Sequence, residues 1–221
     1  VCERLSDQYP LRLIIRRQPR DGLAGAVLLG MSHAGGEILV VMDADLQHPP
    51  RRLPDLLAPL DGGEADFTLG SRYVPGGSTG EQWGLTRKIN SRVATLLARP
   101  FAGRVLDPMS GFFALKRSTF EQAKPSLNPL GYKIGLELMC KCDVRNVVEV
   151  PIHFAERARG KSKMSLREQV RYLKHLGRLY EHRFPRMSRS IKLLGALAGA
   201  WVIGIAASRL VPPQRVSGLA K

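Results

Sequence analysis

The stretch Glu37-Ile38-Leu39-Val40-Val41-Met42 is a continuous apolar run closed by Asp43-Ala44-Asp45 and followed by Leu46-Gln47-His48-Pro49-Pro50. An unbroken run with β-branched residues reads as a strand buried on both faces, the kind found in parallel sheets. In such sheets ligands bind at the carboxyl ends of the strands, where this run delivers two aspartates. Pro49-Pro50 then forces a turn.

Outward from this strand the chain alternates between two periodicities. Leu11–Ile15, Asp66–Gly70, Gly111–Leu115 and residues 146–152 read as further strands. Residues 21–32, 52–60, 82–98 and 134–141 read as helices, the third with Ile89, Val93, Leu96 and Leu97 as its apolar face. Residues 75–80 read as a Gly/Ser/Thr loop. Strands alternating with helices predict an α/β fold with a mostly parallel sheet flanked by helices. The expected division is a domain over residues 1–164, a basic amphipathic membrane-surface helix over 165–183 and a membrane-embedded or interfacial helix over 190–210. In the second segment Leu166, Val170, Leu173, Leu176 and Tyr180 fall on one face, with Arg167, Arg171, Lys174 and Arg178 opposite. The uncharged run 193–207 has fifteen residues, short of the roughly 20 needed to span a bilayer.

The 221 residues carry a net charge of +15, unevenly spread. Residues 1–154 hold +3, residues 155–183 hold +6 and residues 184–221 hold +6. That asymmetry points to an anionic partner: phosphates, an anionic membrane surface or nucleic acid. Aromatic residues at 6% are too few for obvious base-stacking platforms, so nucleic acid is not the expected partner. Three cysteines make no disulfide framework and read as reduced thiols. No apolar leader segment opens the chain as given.

Asp43 and Asp45 at one strand end repel each other unless a cation joins them. Oxygen ligands favour Mg²⁺ or Mn²⁺, with substrate phosphates completing the sphere. Arg72 follows the next strand and can grip a phosphate bidentately. Arg87 and Ser91 stand one helical turn apart, able to reach one anion together. Asp107, in Asp107-Pro108-Met109-Ser110-Gly111, reads equally as a cap, a partner of another site residue or a general base. Arg157, Arg159, Lys161, Ser162 and Lys163 crowd around Gly160, which suits closing over a diphosphate or merely a solvated linker. His48 and His153 stand alone and read as core or surface residues.

Residues Val40 through Pro50 resemble the metal-binding signature of the polyprenyl (dolichyl) phosphate mannosyltransferases, inverting family 2 glycosyltransferases of the GT-A fold. Four more segments agree in order: Gly70-Ser71-Arg72, Arg87-Lys88-Ile89-Asn90-Ser91, Asp107 through Phe113, and Pro151 through Lys163. The resemblance covers about residues 10–183. It implies a GT-A, Rossmann-like fold. It also implies that Asp43, Asp45 and Gln47 bind Mg²⁺ or Mn²⁺ and, through it, the donor's diphosphate. Arg157, Ser162 and Lys163 would hold that diphosphate, while Arg72, Arg87 and Ser91 would bind a lipid phosphate. The implied catalytic set is Asp45, Arg72, Arg87 and Asp107. The implied reaction moves mannose from GDP-mannose to a polyprenyl monophosphate with inversion, at the cytoplasmic face of a membrane. A UDP-hexose such as UDP-glucose is the alternative donor, because the family's opening strands, which bind base and ribose, precede the first residue here. The reading of another class is a non-catalytic basic protein that binds a membrane or nucleic acid.

Overall fold

The computed structural model describes residues 2–18, 21–80, 85–128, 130–142, 144–155 and 166–186. A short helix α1 (Cys2–Ser6) and α2 (Gly22–His33) precede strand β1 (Ile38–Val41). Then come α3 (Leu53–Asp61), β2 (Phe67–Ser71), β3 (Ser78–Thr79), α4 (Leu85–Ala102), β4 (Phe113–Lys116) and α5 (Arg117–Ala123). The chain continues through α6 (Ile134–Lys141), β5 (Val147–Pro151), β6 (His153–Phe154) and α7 (Leu166–Arg183).

The central sheet has the order β1-β4-β2-β5. β4 runs antiparallel to both neighbours, and β2 pairs with β5 in parallel, Leu69 facing Glu149 and Ser71 facing Pro151. Three strands therefore share one direction, and their carboxyl ends lie along one edge. β3 and β6 form a separate two-stranded ribbon.

β2 is buried at every residue, as a strand covered on both faces should be. On one face Phe67, Leu69, Phe113 and Leu115 pack with residues of α2, α4, α6 and α7. On the other, Leu56 of α3 meets Phe112, Val150 and Ile152, and Leu60 meets Ala65 and Ala114. Burying each such large side chain contributes about 1.5–3 kcal/mol. Gly70 permits this closeness, since a Cβ there would lie 2.8 Å from the Phe112 ring.

Four expectations need correction. β1 is not buried on both faces: it ends the sheet, and Val40 is 37% exposed. Leu11–Ile15 forms no strand. A strand needs a neighbour to bond to, none pairs with this segment among the described residues, and Leu11, Leu13, Ile14 and Ile15 are exposed. On α4 the apolar residues Val93, Leu96 and Leu97 face outward, while Ala98 and Ala102 face the core; small residues suit its close approach to α6. On α7 the buried stripe is His175, Leu176 and Leu179, with Val170 and Leu173 exposed.

The rotation of α7 has a cause on α6. Glu137 is fully buried and receives the Asn128 N–H at 2.6 Å and Lys141 Nζ at 2.6 Å. His175 Nε2 lies 3.2 Å from its other oxygen, close as an ion pair but off-axis for a hydrogen bond. An uncompensated buried carboxylate is costly, so this acid requires His175 to turn inward. Burial alone would raise the Glu137 pKa, but the contacts with His175, Lys141 and Asn128 outweigh it and hold it at about 2. The free thiol Cys142 nearby is pushed up to about 12 by burial, by the charge of Glu137 and by Cys140.

The chain divides into two compact units, Val1–Leu179 and Tyr180–Lys221, so most of α7 belongs to the first. Residues 190–210 lie outside the described residues, and among these no helix is long and apolar enough to cross a membrane.

Candidate active site

β1 delivers Asp43 and Asp45 past its last residue, both half-buried. Leu46 then takes φ 63° and is 75% exposed. A left-handed leucine costs about 1–3 kcal/mol and persists only where its surroundings impose it. Gln47 supplies that constraint. Its N–H donates to Asp45 Oδ1 (3.2 Å), its Nε2 donates to Ala155 O (2.9 Å), and its carbonyl accepts the Ala155 N–H (3.0 Å). Ala155 is thereby fastened to the aspartate motif.

His48 is buried between the Phe112 ring (5.3 Å) and the Phe154 ring (5.2 Å). Burial lowers its pKa against the pull of Asp43, Asp45 and Asp107. It is a core residue, as expected of a lone histidine.

β2 delivers Arg72. Its Nε and Nη2 donate to Asp107 at 2.7 Å each, and its backbone N–H donates to the same carboxylate at 3.0 Å. The guanidinium also lies 5.3 Å from the Tyr73 ring and from the Phe154 ring. Burial pulls its pKa down, but the Asp107 hydrogen bonds and charge prevail, so the cation is held firmly. Of the three roles open to Asp107, partner of Arg72 is the one its contacts display: the carboxylate is fully buried and accepts from the Arg72 guanidinium.

The segment Asp107–Gly111 ties the two strand ends together. Asp107 grips Arg72 at one end. At the other, a Cβ on Gly111 would lie 3.1 Å from Asp43 Oδ2, a tight contact that the absent side chain avoids. Between them Ser110 Oγ donates to Gly70 O at 2.6 Å. Asp43 also lines a cavity of about 80 Å³ with Ser110, Tyr132 and Lys133.

Asp43, Asp45 and Gln47 supply oxygen donors only, the chemistry of Mg²⁺ or Mn²⁺. Among the described residues no three His, Cys, Asp or Glu side chains gather to hold a metal alone. Two carboxylates and a carboxamide fit a hard cation. Arg87 and Ser91 fall on α4, one turn apart, but their side chains lie outside the described residues, as do Arg157, Ser162 and Lys163. Sequence reasoning missed the Gln47–Ala155 clamp, the ring cradle of Arg72 and Glu149. The last had a signal: a lone acid in the apolar strand 146–152 needs a partner.

The profile of glycosyl transferase family 2 matches residues 1–123. The chain belongs to glycosyl transferase family 2. Among curated members, the dolichol-phosphate mannosyltransferase of Pyrococcus furiosus is 43% identical over 181 residues, covering 80% of this chain and 50% of that protein. The Saccharomyces cerevisiae dolichol-phosphate mannosyltransferase is 42% identical, covering 80% and 67%. The polyprenol monophosphomannose synthase of Mycolicibacterium smegmatis is 38% identical, covering 69% and 59%. The chain thus spans about half to two-thirds of these relatives. Among solved structures, glucosyl-3-phosphoglycerate synthase from Mycobacterium tuberculosis, in complex with Mn²⁺ and UDP-glucose, superposes with a TM-score of 0.50 at 19% identity, covering 77% of this chain and 56% of that one. The family 2 chain therefore has the GT-A fold.

Proposed function

We propose that this chain carries catalytic machinery of a polyprenyl-phosphate mannosyltransferase. One observation supports the reading: the single segment Asp107–Gly111 holds Arg72 at one end and passes close to Asp43 at the other. Relatives named dolichol-phosphate mannosyltransferase at 42–43% identity support the choice of substrates.

The reaction displaces GDP from mannose C1 by a phosphate oxygen of the lipid, with inversion. An acceptor phosphate is already ionised at neutral pH, so it needs positioning more than deprotonation. Arg72, with Arg87 and Ser91, positions it and offsets repulsion between two anionic substrates. Asp43, Asp45 and Gln47 would hold Mg²⁺ or Mn²⁺, which when bound supplies charge stabilisation to the departing diphosphate. Arg157, Ser162 and Lys163, following the Ala155 clamp, add donors to that diphosphate. The basic C-terminal third keeps the cleft at an anionic cytoplasmic leaflet, where each lysine or arginine contributes about 1 kcal/mol.

The test follows labelled sugar from GDP-mannose into a short polyprenyl phosphate, with Mg²⁺, with Mn²⁺ and with a chelator, beside UDP-glucose. Metal-dependent transfer from GDP-mannose is expected, and Asp45→Ala abolishes it. Transfer only from UDP-glucose overturns the donor. Full activity of Asp45→Ala overturns the metal assignment.

A further inference from the structure

Arg72 does not meet Asp107 by chance of rotamer; the carboxylate is itself held from behind. The half-buried Glu149 of β5 accepts two consecutive backbone N–H groups, Leu106 at 2.8 Å and Asp107 at 3.0 Å, one on each oxygen. Two such bonds fix the Leu106–Asp107 peptide and therefore the point from which the Asp107 side chain departs. Asp107 then takes Nε and Nη2 of Arg72, a side-on fork that sets the plane of the guanidinium. The rings of Tyr73 and Phe154 flank it. β2 and β5 are paired in parallel, so both ends of this chain of contacts stand on one rigid sheet.

The charges matter as well as the geometry. Two carboxylates behind one guanidinium temper its charge, so what Arg72 would offer a phosphate is set by the orientation of its N–H groups as well as by charge. A lysine at position 72 would keep the charge and lose the fork.

We propose that Glu149 is a positioning residue for the acceptor: through the Leu106–Asp107 peptide and Asp107 it orients the Arg72 guanidinium toward a phosphate monoester. The acceptor half of this inference rests on the function proposed above; the orienting half does not.

The experiment uses Glu149→Gln, whose amide offers one acceptor oxygen to two N–H groups, and Asp107→Asn as a second variant. Solvent exchange of the Arg72 Nε–H is followed by ¹⁵N NMR. KM for a short polyprenyl phosphate and for GDP-mannose are measured in parallel. The expected result is faster Nε–H exchange and an acceptor KM raised about tenfold, with the donor KM within about twofold. In an Arg72→Ala background Glu149→Gln should add no further rise, because its effect travels through Arg72. An additive rise overturns the proposal. So does wild-type Nε–H exchange in both variants, or a fall in kcat with both KM values unchanged, which marks loss of folded protein alone. If the wild-type chain transfers no sugar to a lipid phosphate, the function fails separately, and the exchange rates still decide whether Glu149 orients Arg72.

Discussion

Among the described residues two deeply buried ion pairs invite comparison: Arg72 with Asp107, and Lys141 with Glu137. In the second the acid is the hub. The Asn128 N–H, Lys141 and His175 converge on Glu137, and Lys141 also donates to Ser126 O. The result is a rivet between α6, α7 and the residues around 126–128. In the first the cation is the hub. Asp107 engages one edge of the guanidinium from behind, and aromatic rings flank it. An acid hub draws its cations inward and becomes structure. A cation hub held from behind keeps its orientation at the mouth of a strand end. Geometry, not the mere presence of a buried pair, separates a strut from a tool.

The comparison breaks most visibly at Glu137. Glu137→Ala should cost roughly 3–5 kcal/mol of unfolding free energy, because it strands Lys141 without its charge partner and His175 without its neighbour. Transfer per folded molecule should stay near that of the unaltered chain. Denaturant melts with an active-site count check both halves. Arg72→Ala should invert the pattern, with transfer falling about 10²–10³-fold and a smaller change in the melting temperature.

A third test is titration. The Glu137 pKa is held at about 2, below its ordinary value of 4.5. Its stabilising contribution is therefore complete above about pH 4.5 and is lost as pH falls toward 2. Melts across that window should lose stability in the unaltered chain and lose less of it in Glu137→Gln. The Cys142 thiol, pushed up to about 12, gives a second readout: it should resist alkylation at pH 8 until α6 and α7 separate. The smallest effect belongs to the exposed pair Arg52–Asp55, 2.8 Å apart. Arg52→Ala should shift stability by less than about 1 kcal/mol, calibrating the buried pairs against a surface one.

Much of the cleft was legible from local pattern. The run ending at Asp43, the strand ending before Arg72 and the helix over 134–141 stand where periodicity places them, because each is decided by residues near it in sequence. What pattern could not give is pairing. The insertion of β4 between β1 and β2 leaves β1 at the sheet end, so Val40 and the segment Leu11–Ile15 stay exposed despite their apolar character. The face of α7 was misread for a similar reason. Apolar count favours Leu173, but Glu137, more than thirty residues upstream, demands His175. Asp107 kept three roles open in the sequence, and its partnership with Arg72 became visible only in the fold.

Gln47 illustrates pleiotropy within a single side chain. Its amide nitrogen anchors Ala155, and its oxygen is the atom proposed above to hold a cation. Deleting the side chain would remove both the proposed ligand and the hold on Ala155 at one stroke, so Gln47→Ala would exaggerate the worth of either role. Gln47→Glu separates them: it keeps oxygen for the cation and forfeits the donor to Ala155. The aspartate motif and Ala155 are in this sense one mechanical part, built from two places in the sequence more than a hundred residues apart.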